Sequence, residues 1–247
     1  MRSAFAQAWA AQGVCPEMSE VAVLFIAALG SQCFLTEYIY VEHKALQELI
    51  TVLRYEIEEV IQDGDNVSDG AIALLSCYQP LDLVLPEFPQ ALQTNADRQT
   101  AIARLIELQV SEPHQERQFA AELVTLTDMQ SIRMDPVWQQ YEENPYPRWV
   151  SLPFILPRPG CDVFGLLFPH LLRDGARFPS SPKILVTGCG TGRHALITAK
   201  RFIGCSVTAL DFSRASLAFA ARQSKKLGVE NLEFGEADIM NLTDSIG

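Results

Sequence analysis

Ile184-Leu185-Val186-Thr187-Gly188-Cys189-Gly190-Thr191-Gly192 decides the fold of the C-terminal part of this chain. Ile184 to Val186 is a short apolar strand. The alternating glycines after it make a turn, and Arg193 to Phe202 reads as a helix. Working outward, Cys205 to Leu210 forms a second strand ending at Asp211, and Ser213 caps a helix that runs to Leu227 and closes at Gly228. Leu232-Glu233-Phe234 is a third strand, with Asp238 just beyond its end. Strand, helix, strand, helix, strand in this order requires right-handed crossovers and a parallel sheet.

The residue types at the strand ends suit a particular ligand chemistry. Glycines at the end of the first strand let a ligand approach the backbone where a Cβ would obstruct it. The helix that follows offers unpaired N–H groups to an anionic group. An acid ending the second strand accepts hydrogen bonds from ribose hydroxyls, and one ending the third reaches an adenine edge. An adenosine-containing ligand in the crevice above the sheet satisfies all of these. A dinucleotide site wants G-x-G-x-x-G, but here the third position falls on Arg193 while Gly192 gives the tighter G-x-G-x-G. The spacing leans away from NAD, although the later acid fits either cofactor.

The remainder of the chain is chemically different. Of 247 residues, 19 are Lys or Arg and 30 are Asp or Glu, a net charge of −11. Residues 1–178 hold 11 basic and 24 acidic residues, net −13, and residues 179–247 hold 8 and 6, net +2. Such acidity disfavours a protein that must neutralise a nucleic-acid backbone. The longest apolar run, Val21 to Gly30, is too short to cross a bilayer, and Gln7 and Gln12 interrupt any secretory core near the N-terminus. The expectation is a cytoplasmic protein with no membrane contact. Six scattered cysteines without C-x-x-C spacing read as reduced thiols and give no structural metal.

Glu42 to Gln62 repeats Leu46, Leu49, Ile50, Leu53, Ile57, Val60 and Ile61 at three-and-four spacing, an amphipathic helix that Asp63-Gly64-Asp65-Asn66 stops. Further helices are expected at 18–40, 68–78, 97–110 and 113–126, with turn signals at Gln79-Pro80 and Pro86-Glu87-Phe88-Pro89. No internal repeat recurs. The acidic helix faces read as solvated surface, with docking of a protein partner as the alternative. Nine of the 14 prolines fall between Asp135 and Pro182, which predicts an extended connector with one short helix in 161–173. The domains expected are therefore 1–134 helical, 135–181 connector and 182–247 nucleotide-binding.

The nonapeptide, together with Val207-Thr208-Ala209-Leu210-Asp211-Phe212-Ser213 and Phe234-Gly235-Glu236-Ala237-Asp238-Ile239, resembles the cofactor-binding half of class I S-adenosylmethionine-dependent methyltransferases. Gln32-Cys33-Phe34-Leu35-Thr36-Glu37-Tyr38 and Gln140-Tyr141-Glu142-Glu143-Asn144-Pro145-Tyr146-Pro147-Arg148-Trp149 are similar to a bacterial family that joins a helical region, often preceded by tetratricopeptide repeats, to such a domain. The fold class implied is multidomain: an N-terminal all-α domain followed by a partial α/β Rossmann-like domain.

The resemblance implies S-adenosylmethionine as cofactor, held by Gly188, Cys189, Gly190 and Gly192 on the methionine portion and ribose. Asp211 would take the ribose hydroxyls, Phe212 would lie against the adenine, and Asp238 with Ile239 would meet the adenine edge. Many members carry an acid two residues before the first glycine, where this chain has Val186. Family members also continue past the third strand, so the ending at Gly247 reads as a truncation that removes the substrate half, and no catalytic residue is assigned. The acceptor, protein or small molecule, is unknown. The competing reading is a helical protein-interaction module with a vestigial nucleotide-binding fold. Cys189 fits the turn as a small side chain, and His194 reads as a solvent-facing first-turn residue. Asn144-Pro145-Tyr146-Pro147 resembles the Asn-Pro-Pro-aromatic motif of amino-group methyltransferases with its last two positions interchanged. Tyr146, Arg148 and Trp149 are expected to anchor the connector on the helical domain, with a lid over the cofactor as the other reading.

Overall fold

The computed structural model describes residues 18–39, 44–84, 100–130, 132–175, 177 and 179–242. The N-terminal stretch read for a targeting signal and the turn at Pro86–Pro89 lie outside the described residues. The chain divides into two compact units, Met1–His114 and Gln115–Gly247.

Every described element of the first unit is helical. Helix α1 (Glu20–Leu35) starts where Ser19 accepts the Ala22 N–H, and α2 (Lys44–Gln62) buries Ile50, Leu53 and Ile57 at the spacing read from the sequence. Gly64, at φ +79°, closes α2 in the left-handed conformation that glycine adopts without steric cost. Helix α3 (Asp69–Ser76) is capped by Ser68 and buried along its length. A Cβ at Gly30 would lie 1.9 Å from Ser76 Oγ, so α1 and α3 cross where only glycine fits. A short helix, α4 (Leu81–Val84), precedes α5 (Thr100–Ile106), which continues through a π-helical turn at Glu107–Ser111 into α6 (Glu112–Glu122).

That π turn points Gln109 into the core with no exposure. Its Nε2 donates to Gly30 O (3.0 Å) and Ser76 O (3.2 Å), while its Oε1 accepts Tyr38 OH (3.3 Å) and Leu81 N (3.4 Å). One amide thereby satisfies polar groups from four segments of an otherwise apolar core. Among the described residues no helix is long and apolar enough to cross a membrane.

The second unit is built on a four-stranded parallel sheet. Its strands are β1 (Val124–Thr125), β3 (Lys183–Thr187), β5 (Ser206–Asp211) and β6 (Leu232–Glu236), in the order β1-β6-β5-β3. Helices α10 (Arg193–Arg201) and α11 (Arg214–Lys226) are the crossovers. Ile184, Val207 and Leu232 share one face in register, as do Val186, Ala209 and Phe234, and pack with Ala195, Leu196 and Leu217 from the helices. The other face carries Leu185, Thr208 and Glu233 in register. This is the α/β Rossmann-like arrangement expected from the sequence.

Three expectations for the middle of the chain are corrected. The helix expected to reach residue 126 stops at Glu122, and Val124-Thr125 instead extends the sheet beside β6, with Leu126 N donating to Glu236 O at 2.8 Å. Within the second unit, Glu116 of α6 accepts from Arg222 Nε of α11 at 2.8 Å. The run 135–149 is also not simply extended. Asp135 accepts the Val137 N–H and Pro136 takes the first helical position, where its missing N–H costs nothing, so α7 forms over Pro136–Glu143. Farther on, the expected single helix is two, α8 (Gly160–Leu167) and α9 (Pro169–Arg173), broken at Pro169, while β2 (Arg158–Pro159) pairs with β4 (Phe202–Ile203).

Candidate functional site: the glycine turn and the strand-end acids

The three sheet strands read from the sequence end together, and their loops form the site. Gly188, Gly190 and Gly192 have φ of +65°, +52° and +77°, a region that disfavours any residue with a Cβ. They serve different ends. A Cβ on Gly188 or Gly190 would meet nothing within 4 Å, so both glycines border open space. A Cβ on Gly192 would lie 2.4 Å from Ala220 Cβ, so that glycine lets the turn pack against α11.

Asp211 organises the loops. Its carboxylate, in a residue only 6% exposed, accepts the Gly190 N–H on Oδ2 at 2.7 Å and the Ser213 N–H on Oδ1 at 3.0 Å. Its own carbonyl accepts the Ala237 N–H at 2.9 Å, so one residue bonds to the loops after all three strands. An ionised carboxylate offers about four lone-pair sites. Both oxygens therefore keep acceptor capacity toward a hydroxyl. Burial and the nearby Asp211 charge push the Cys189 thiol well above its ordinary range, so it stays a neutral, buried side chain. His194 is exposed in the first turn of α10, as expected.

Phe212 is half-buried, with its ring edge-on to Tyr141 at 6.0 Å and 75°. Asp238 is turned inward: Oδ1 accepts the Met240 N–H (2.9 Å), Oδ2 accepts Asn241 Nδ2 (2.7 Å), and its own N–H donates to Thr127 Oγ1 at 2.7 Å. It caps a 3-10 turn over Ile239–Asn241, and Ile239 remains 47% exposed beside it. Val186, where many relatives of the resembled family carry an acid, is buried in the sheet core.

The role of Glu236 and the acceptors of two indoles beside the site escape the sequence reading. Glu236 is buried at the end of β6 and accepts hydrogen bonds from Thr125 (2.6 Å), Arg133 (3.2 Å) and Arg214. Burial alone would raise its carboxyl pKa, but these hydrogen bonds and the Arg214 charge outweigh burial and hold it below the ordinary Glu value. Trp149 Nε1 donates to Thr191 O at 2.9 Å, Thr191 Oγ1 donates to Pro147 O at 2.9 Å, and Trp138 Nε1 donates to Phe212 O at 3.1 Å. Trp149 thus anchors on the nucleotide-type fold, a correction to the expected anchorage on the helical domain. A run of aromatic residues among prolines was the only signal for these contacts.

Residues 184–246 match the family described as Methyltransferase domain, a span that contains the glycine turn and both strand-end acids. A curated relative, the release factor glutamine methyltransferase of Chlorobaculum tepidum, is 34% identical over 106 residues, 41% of this chain and 36% of that protein. The chain thus spans about a third of the length of the curated relative it matches. Among solved structures, the [4+2]-cyclase SpnF is 22% identical over 48% of this chain and 46% of its own, with a TM-score of 0.28. A coclaurine N-methyltransferase bound to N-methylheliamine and SAH is 16% identical over 79% of this chain and 51% of its own, with a TM-score of 0.25. The span that matches this family model is the one that forms β3, β5 and β6 of the parallel sheet with the crossover helices α10 and α11.

Proposed function

We propose that the chain is the helical and cofactor-binding part of a class I S-adenosylmethionine-dependent methyltransferase of the cytoplasm. The observation that carries this reading is the Asp211–Gly190 hydrogen bond within the matched span, at the rim of two glycines that border open space. The residues fit the group: Gly188 and Gly190 leave room for the methionine portion, and Asp211 retains acceptors for ribose hydroxyls. Phe212 supplies an aromatic surface for adenine, and Asp238 with Ile239 forms the boundary at the adenine edge.

Bound S-adenosylmethionine would supply an electrophilic methyl group on a sulfonium. What this chain's residues contribute is binding and orientation, since much of the catalysis in such a transfer is alignment of the acceptor with the methyl group. We assign no residue to acid–base chemistry. The acidic helical unit is proposed to recruit an acceptor, protein or small molecule, or a protein partner.

Buried Val186 favours a second reading, a helical interaction module whose nucleotide fold has lost its ligand. Equilibrium dialysis with labelled S-adenosylmethionine separates the two. Retention undiminished by excess NADH supports the cofactor reading, and absence of retention overturns it.

A further inference from the structure

Residues 138–149 tie together the two turns that border the crevice. Trp138, in α7, donates to the carbonyl of Phe212 in the turn after β5, and Trp149 donates to the carbonyl of Thr191 in the glycine turn after β3. Each end is secured independently. At the Trp138 end, the Glu142 carboxylate accepts the Ala215 N–H at 3.1 Å, and Ser213 Oγ lies 3.1 Å from both Glu142 Oε2 and Tyr141 O. At the Trp149 end, Gln223 Nε2 donates to Trp149 O at 2.9 Å, Thr191 Oγ1 donates to Pro147 O, and the indole packs edge-on to Phe219 at 5.8 Å. Trp149 is 8% exposed, so its N–H bond is made where water does not compete.

We infer that Trp138 and Trp149 are positioning residues, and that the strap between them sets the spacing of the glycine turn and the Phe212 turn. Peptide carbonyls in tight turns do not move independently of the N–H groups beside them. Fixing Thr191 O therefore holds the Thr191–Gly192 peptide next to Gly190, and fixing Phe212 O holds the Phe212–Ser213 peptide next to Asp211. Pre-setting the crevice removes ordering that a ligand would otherwise have to impose on binding. This inference rests on the cofactor reading for its consequence, but the strap itself is made wholly of this chain's own residues.

The test uses the full chain with Trp138→Phe and Trp149→Phe, which keep an aromatic ring but remove the indole N–H together with part of the ring's volume. Phe154→Ala, at a residue 93% exposed, is the control. Amide hydrogen exchange is followed by NMR without ligand, and S-adenosylhomocysteine affinity by calorimetry. The expected result is exchange about three- to tenfold faster at Gly190 and Gly192, with affinity lower by a similar factor, the scale of one lost hydrogen bond. Exchange at Val207, in the middle of the sheet, stays at the wild-type rate. Wild-type exchange at both glycines overturns the inference, and so does equal acceleration at Val207, which would mean plain loss of stability. If the unaltered chain binds no S-adenosylhomocysteine, the cofactor reading falls and the exchange rates alone decide the strap.

Discussion

Asp211 Oδ2 accepts the backbone N–H of Gly190 at 2.7 Å, joining the acid that ends one strand to the glycine turn that ends its neighbour. The bond explains why an acid and a glycine 21 residues apart belong to one site. The carboxylate satisfies the N–H of a turn residue two positions before the cap of α10, and the turn in turn shields the carboxylate from water.

Gly188 and Gly192 separate binding from packing. Gly188→Ala places a Cβ in the left-handed region, a cost of about 1–2 kcal/mol, and fills space that we assign to ligand. Gly192→Ala adds to the same strain an overlap with Ala220, a further cost of about 1–3 kcal/mol. Urea unfolding should therefore rank Gly192→Ala as the less stable, whereas S-adenosylhomocysteine titration should show lost affinity in folded Gly188→Ala.

Glu236 makes stability depend on acid. Its folded-state pKa is lowered, so the unfolded chain takes up the proton first as pH falls. The stabilisation is complete above the ordinary Glu value of about 4.3 and is lost as pH drops through the lowered folded value. Between pH 5 and 3 the urea midpoint of Glu236→Gln should fall less than that of the unaltered protein. Equal falls would contradict the role given to Thr125, Arg133 and Arg214.

Gln109 is the polar centre of the helical unit. Gln109→Ala leaves Leu81 N, Gly30 O and a cavity without their shared partner, and a loss of about 2–4 kcal/mol is expected in urea unfolding. A change below about 0.5 kcal/mol would show that water replaces the amide.

The sequence made the local rules visible and the long-range partners invisible. Ser213 as a helix cap, Gly64 as a helix stop and the strand periods around Val207 follow from short-range chemistry, and the structure has all three. Val124-Thr125 carries no strand signal of its own because two residues are too few for a period, and their strand character comes from β6, 111 residues away at the Thr125–Glu236 hydrogen bond. The acceptor of Trp149, Thr191 O, is not legible in the sequence because an indole N–H signals the need for an acceptor but not which one. For Asp238 the sequence located the residue at the strand end, while its inward capping of Met240 and Asn241 depends on a 3-10 turn that no pattern announced.

Calorimetric titration of the chain and of Asp211→Asn with S-adenosylhomocysteine tests the central claim most directly. The amide keeps the size of the side chain but loses the charge and one acceptor oxygen. Saturable binding to the unaltered chain, weakened about tenfold or more in Asp211→Asn while the protein stays folded, is the predicted result. Absence of binding to the unaltered chain, or equal affinity in the two proteins, would contradict it.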